Sequence, residues 1–407
     1  MIEAVDSRPH GRPQSAPPSD LKSADRVRHL DGIRGIAILA VCAVHWLGPR
    51  LPAFEGGYVG VDLFFVLSGF IITTLLVRRQ TPYRRFVRAR VRRLYPPLLG
   101  VLVGTILLAW LWPGSALFPG RTTEQGLVAA AQASSLWMSV TGAQIGPFSM
   151  TWSLAVEWYF YLLWPLAVLR LRALAPAVAA RRVLLAAGAL YLGALVQPAW
   201  WFYYGPTARF GELLVGAAVA FHLSRPRSSA DPIADGRRPA GAPAVDGGAT
   251  RPRGGWPANG PTVAAALAFV ALWTVAGTDP YHLAYRLVAA PLTTACAVTL
   301  IMAGYRVRGP RAGGRREWHP VGLLSWRPLV ATGRVSYSLY LWHAVPLALL
   351  SANWWGLPVP LVGVVGIALA ATGTLLSYRL LEQPFWRARG GELAGRPAPA
   401  TTVAAAG

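Results

Sequence analysis

Long apolar runs alternate with arginine-rich loops through most of this sequence, and that alternation confines the chain to one kind of environment. A helix needs about 20 apolar residues to cross the roughly 30 Å hydrocarbon core of a bilayer. Runs near that length fall at roughly 31–51, 57–77, 94–112, 150–169, 183–198, 206–223, 261–278, 284–304, 329–350 and 358–380. Only 14% of the residues are charged and 54% are hydrophobic, whereas a soluble domain carries about 25% charged residues. The chain therefore reads as all-α, a polytopic membrane bundle of about ten transmembrane helices, located in the plasma membrane.

Charge sets the expected topology. The segment RRQTPYRRFVRARVRR, residues 78–93, holds eight arginines. Basic loops stay on the cytoplasmic side, which places this segment inside the cell and the N-terminus with it. The basic loops at 170–182, 224–260, 305–328 and 381–389 join it if residues 124–140 do not span. That stretch carries Gln125, Gln132, Ser134 and Ser135, so it is read as a surface or re-entrant helix. Both termini are then cytoplasmic. Residues 1–29 are polar and rich in Pro, Ser and Arg, and read as a disordered cytoplasmic arm with no cleavable signal peptide. The membrane domain covers 30–387, with 224–260 as a flexible cytoplasmic loop and 388–407 as a disordered tail.

The net charge of +22 would suggest nucleic acid in a soluble protein. Here the arginines flank apolar runs, so the expected contact is membrane lipid and not nucleic acid. Lys22 is the only lysine, so much of the arginine excess is compositional. Cys42 and Cys296 both lie in apolar runs, which predicts neither a disulfide framework nor a metal site.

Few ionisable residues lie within the spans. At a rise of about 1.5 Å per residue, His45 lies roughly 10 Å below the outer face, Asp62 roughly 8 Å, Glu157 roughly 10 Å, and Glu212 and His343 roughly 9 Å. Five spans thus contribute to one polar layer, with Arg209 one turn from Glu212 and Ser68 nearby. A charge left in hydrocarbon costs at least ~2.5–3.5 kcal/mol on the insertion scale, so these groups should face one another or a wet cavity. The layer is either a structural network or a functional site, and intramembrane ionisable residues default to function.

The stretch DGIRGIAILAVCAVHW places Arg34 and His45 eleven residues apart on one helix face, separated by roughly 16 Å along the axis. They cannot touch. They can hold two ends of one long molecule, an anionic end at Arg34 and a reactive end at His45. Alternatively, Arg34 pairs locally with Asp31.

Several segments together carry a family resemblance: LDGIRGIAILAVCAVH, GGYVGVDLFFVLSGFII, RARVRRLYP, TWSLAVEWYFYLLWP, RFGELLVG, SYSLYLWH and LEQPF. In this order, from about Leu30 to Trp386, the chain resembles acyltransferase family 3, the integral membrane O-acyltransferases. The resemblance implies transfer of an acyl group, commonly acetyl, from cytoplasmic acyl-CoA. The acceptor is a hydroxyl on a cell-envelope glycan, another sugar or a glycosylated natural product. It implies no permanently bound cofactor; acyl-CoA is the donor substrate. Some members carry an extracytoplasmic esterase-like domain. None is read in these 407 residues, so the expectation is direct acylation or hand-over to a separate extracytoplasmic protein.

On this reading His45 is the general base or a transient acyl carrier, and Glu157, at matching depth, orients its imidazole as a triad carboxylate does. Arg34, Arg90 and Arg93 grip the CoA phosphates. Asp62, Ser68, Arg209, Glu212 and His343 form the substrate-binding or structural polar layer. Tyr337, Tyr340 and Trp342 are read as bundle lining. The rival class is a glycan or lipid transporter, which also needs polar groups in the membrane.

Overall fold

The computed structural model describes residues 19–49, 51–112, 117–224, 260–275, 280–306, 320–350 and 359–384. Residues 1–18 of the expected arm, nearly all of the 224–260 loop and the 388–407 tail lie outside this set. Among the described residues every element is helical.

The first three long helices are α1 (Ser19–Trp46), α2 (Val59–Arg79) and α3 (Tyr83–Leu111). Helix α1 begins directly after Pro17-Pro18, and its first turns read SDLKSADRVRHL, which contains no helix breaker. Residues 19–29 are therefore helical, and the expected disordered arm is shorter than its composition suggested. Helix α3 likewise takes in the arginine segment ahead of the expected span.

Helices α4 (Pro119–Ala130) and α5 (Ser134–Thr141) follow, separated at Gln132, which adopts the left-handed conformation with φ 57°. At about 1.5 Å per residue they are roughly 18 and 12 Å long, too short for either to cross a bilayer. Next come α6 (Thr151–Leu171), α7 (Pro176–Leu195), α8 (Ala199–Tyr204) and α9 (Pro206–His222). Helix α10 (Gly260–Val275) precedes α11 (Ala290–Arg306), which a π-helical turn at Tyr285–Ala289 extends. Short helices α12 (Pro320–Leu324), α13 (Arg327–Arg334), α14 (Ser336–Trp342) and α15 (Val345–Leu349) lead to α16 (Val359–Ser377), which ends in a second π-helical turn at Tyr378–Glu382.

Among the described residues, six helical stretches are long and apolar enough to cross a membrane: Pro52–Arg79, Tyr83–Leu111, Thr151–Leu171, Pro176–Leu195, Tyr285–Gly304 and Leu361–Glu382. The protein is a multi-pass membrane protein. The count of six, against the ten expected, has local causes. Helices α9 and α10 have 17 and 16 residues, and α1 carries Asp31, Arg34 and His45 in its apolar part. The expected span at 329–350 is broken into α13, α14 and α15. Pro346 lacks an N–H and its ring would clash with the carbonyl of Trp342, the last residue of α14. Broken helix at membrane depth is tolerated where it lies inside protein or lines a cavity, and α14 does both.

Helix α2 is the centre of the bundle. In its apolar window 72% of residues are buried, against 22% in α7 and 28% at α16. It packs on α1, α6, α9 and α11. The peripheral helices turn leucines outward, among them Leu107, Leu184 and Leu192, as a lipid-facing surface requires. The α2–α9 contact depends on two glycines. A Cβ on Gly69 would collide with the Leu213 carbonyl, and one on Gly216 with the Val66 carbonyl. Small residues of this kind let helix backbones approach in a membrane, where no hydrophobic force draws them together.

Gly216→Val should therefore unfold or strongly destabilise the protein, because a backbone carbonyl cannot move aside as a side chain can. Overpacking of this kind costs about 1–3 kcal/mol or more. Gly188→Ala on α7, where a Cβ meets nothing within 4 Å, should leave the melting temperature unchanged or raise it. Thermal melts followed by fluorescence-detected gel filtration separate the two outcomes.

Candidate active site

The structure divides the expected polar layer into three groups. The first is a sealed ion cluster between α2, α9 and the π turn before α11. Arg209 sits 2.6 Å from Asp62 and 2.7 Å from Glu212, and all three side chains are buried. Its Nε donates to the Tyr203 carbonyl at 2.9 Å. Tyr285 donates to the Asp62 carboxylate at 2.7 Å and receives the Arg209 Nη2 at 3.3 Å. The guanidinium carbon lies 4.9 Å from the centre of the Tyr203 ring and 5.7 Å from that of Trp152. The cluster faces neither cavity described below, and it joins α2 to α9.

The second group lines a cavity of about 760 Å³. Arg34 from α1, Arg90 and Arg93 from α3, Ser68 from α2, and Glu157 and Tyr161 from α6 all face it. The other arginines of the 78–93 segment are exposed, so two of the eight point inward. Arg34 donates through Nε and Nη2 to the Ser336 hydroxyl at 3.2 and 3.1 Å. It does not pair with Asp31, whose carboxylate instead faces Arg334 at 3.5 Å. Arg90 lies over the Phe86 and Tyr161 rings. Three guanidiniums and one carboxylate line it, and the buried Glu382 adds a second negative charge near Arg93; the balance still favours an anion, and the guanidinium fork matches phosphate oxygens. Glu157 accepts from the Ser68 hydroxyl at 2.5 Å and the Tyr161 hydroxyl at 2.8 Å.

The third group belongs to a second cavity of about 1140 Å³. His45 lines it with Tyr58, Trp152, Tyr203, Tyr204 and Tyr281, and Glu55, Gln144 and Ser149 add polar edges. Aromatic faces with a few polar groups suit a polyhydroxylated ring. The Nδ1 of His45 lies 2.7 Å from the Val41 carbonyl. A carbonyl only accepts, so Nδ1 carries the proton and Nε2 keeps its lone pair. His343 caps α14 beside it. Its ring centre is 5.0 Å from that of His45, and its Nδ1 donates to the Tyr340 carbonyl at 2.7 Å.

The expected dyad of His45 and Glu157 is not formed. The imidazole is held by a backbone carbonyl and the carboxylate by two hydroxyls, in different cavities. Helix rise gives depth, but two side chains at one depth meet only if they also face each other around the bundle. Sequence reasoning also missed Tyr285, which closes the ion cluster from 223 residues away, and Ser336, the partner of Arg34. Tyr340, read as bundle lining, faces both cavities. A signal was present for Tyr340 and Ser336, since both lie in the SYSLYLWH segment. Tyr285 had none beyond a hydroxyl in an apolar run. Among the described residues no three His, Cys, Asp or Glu side chains converge as metal ligands.

A cationic cavity and a histidine-bearing cavity thus lie side by side inside a membrane bundle. The family model of the acyltransferase domain, family 3, matches residues 27–379, and the chain belongs to that family. It is 27% identical to YrhL of Bacillus subtilis (strain 168), over 87% of this chain and 54% of that one. It is 26% identical to the peptidoglycan O-acetyltransferase OatA of Listeria monocytogenes, over 88% of this chain and 55% of the relative. The O-acetyltransferase OatA of Staphylococcus aureus (strain NCTC 8325 / PS 47) is 25% identical, over 87% and 56%. The chain thus spans about half the length of these relatives. No solved structure matches it.

Removing one member of the ion cluster strands the others. Arg209→Gln leaves two buried carboxylates without a cation, and a broken buried pair costs about 3–5 kcal/mol. The variant should fail to accumulate as a monodisperse protein or should melt far below wild type. Wild-type melting behaviour of Arg209→Gln would show that the cluster does not hold α2 to α9.

Proposed function

We propose that the protein is a membrane O-acyltransferase that moves an acetyl group from cytoplasmic acyl-CoA to a hydroxyl of a cell-wall glycan. The observation that carries this reading is the pairing of the two cavities, which share Tyr340 and Val61 in their linings. The names of the relatives, peptidoglycan O-acetyltransferase and O-acetyltransferase, support acetyl as the group and cell-wall glycan as the acceptor.

In this mechanism Arg34, Arg90 and Arg93 hold the CoA phosphates in the arginine cavity, which opens to the cytoplasm. Glu157 is the fixed counter-charge of that cavity, and Ser68 and Tyr161 hold it in place. The sugar enters the aromatic cavity from the other side. The lone pair on His45 Nε2 removes the proton from its hydroxyl as the oxygen attacks the thioester carbonyl. The carbon–sulfur bond then breaks and CoA leaves as the thiolate, to be protonated in the cytoplasm. His45 returns its proton to solvent. His343 packs against the imidazole and limits its rotation.

Purified protein in nanodiscs, given radiolabelled acetyl-CoA and soluble cell-wall glycan strands, should label the glycan. His45→Ala should lower the rate by about 10²–10⁴-fold, the usual worth of a general base, while the melting temperature stays near wild type. Arg90→Ala and Arg93→Ala should each raise the KM for acetyl-CoA about tenfold or more, the worth of a charged hydrogen bond, with a smaller effect on kcat. An unlabelled glycan with wild-type protein, or full transfer by folded His45→Ala, would overturn the reading.

A further inference from the structure

The two cavities are separate. Within both linings, the residues in common are Val61 and Tyr340. These two side chains, with their neighbours, form the wall between the arginine cavity and His45. Trp152 faces the aromatic side and the next residue, Ser153, faces the arginine side. The acyl group lies at the end of CoA remote from the phosphates, so it approaches this wall.

The wall is rigidly built. The Tyr340 hydroxyl lies 2.8 Å from the Ser153 hydroxyl and donates to the Met150 carbonyl at 2.8 Å. Its ring packs on His343 at 5.4 Å between centres. Val61 is buried and stands beside Asp62, which the ion cluster pins. Its neighbour Gly60 is pressed to α1, where a Cβ would meet the Ala37 carbonyl. Tyr340 is thus fixed through its hydroxyl and Val61 through the tight packing of its helix on α1. On one edge of the wall stands a β-branched side chain with a single preferred rotamer in a helix.

We propose that Val61 and Tyr340 form the aperture through which the acyl group reaches His45, and that the Val61 side chain sets the length of acyl group transferred. This rests on the acyltransferase reading above and adds the residue that selects the donor. An acetyl group passes; a butyryl group meets the Val61 methyls. The chemistry is unchanged by chain length: the ester C–O bond forms, the thioester C–S bond breaks, and the hydroxyl proton goes to His45. Only the fit of the acyl tail differs.

The test is transfer by nanodisc-embedded protein from acetyl-CoA and from butyryl-CoA to the same glycan strands. The readout is the ratio of the two kcat/KM values. Val61→Ala should raise the butyryl-to-acetyl ratio about tenfold or more, because a methylene in a tight apolar site is worth roughly 10–200-fold in discrimination. Val61→Ile, which adds one methyl, should lower the acetyl rate and suppress butyryl transfer further. Binding of unacylated CoA, measured by titration calorimetry, should stay within a few fold of wild type in both, since the arginines are untouched. The Ile variant keeps the β-branch and adds bulk instead of leaving a void, so it keeps the test decisive if Val61→Ala does not fold. An unchanged ratio in an active, folded variant would refute the aperture and leave the acyltransferase reading intact. A wild-type protein that transfers neither acyl group would refute that reading, and the aperture with it.

Discussion

A charge cannot stand alone in hydrocarbon, and the arrangement of this protein follows from how it meets that constraint. Arg209, Asp62, Glu212 and Tyr285 bond to one another inside a shell of aromatic rings, with Glu212 Oε2 alone left without a hydrogen-bond partner. The cluster ties α2 to α9 and to the turn before α11. One to two turns further along the same seam, Gly69 and Gly216 let the two backbones touch. The register of α2 is thereby set, and with it the positions of Val61 and Ser68. Arg209 also holds the Tyr203 carbonyl, which orients part of the aromatic cavity. A buried ion cluster of this kind is weak evidence for added stability, but removing one member is costly because it leaves uncompensated buried charge.

The remaining intramembrane polar groups work in cavities. The break between α14 and α15 is central to both. Ser336 holds Arg34 on one side, Tyr340 stands in the dividing wall, and His343 packs on His45 at the far end. An unbroken helix through 329–350 would follow a single direction across the bundle. Pro346 ends that continuity, and broken helix of this kind is tolerated at membrane depth where it is buried in protein. The π-helical turn at Tyr285 has a comparable effect, since such a bulge rotates the side chains that follow it and is frequent at functional sites.

Much of this was legible in the residues. The apolar runs at 57–77 and 150–169 became α2 and α6 nearly as expected, because hydropathy and length dominate helix placement in a membrane. Arg90 and Arg93 stand out among the eight arginines only through the family resemblance carried by RARVRRLYP, and they are the two that face the cavity. Equal depth, by contrast, did not bring His45 and Glu157 together. Rise along a helix is a one-dimensional quantity, whereas contact also depends on azimuth, and azimuth is decided by packing. The same gap hid Tyr285, whose partner Asp62 lies on a distant helix with no local pattern linking them. Helix continuity was overestimated at 329–350 because the apolar run masks Pro346, and disorder was overestimated at 19–29 because polar composition alone does not prevent a helix.

Sidedness is the most direct test of the central claim, that one face of the protein takes an anionic thioester donor and the other takes a sugar. Reconstituted vesicles of a single orientation, with radiolabelled acetyl-CoA sealed on the face that bears Arg90 and Arg93 and glycan strands supplied only on the opposite face, separate the possibilities. Label on the glycan, with none when donor and acceptor are exchanged, is the result expected of two cavities meeting at a shared wall. Label appearing only when donor and acceptor occupy the same side would contradict it.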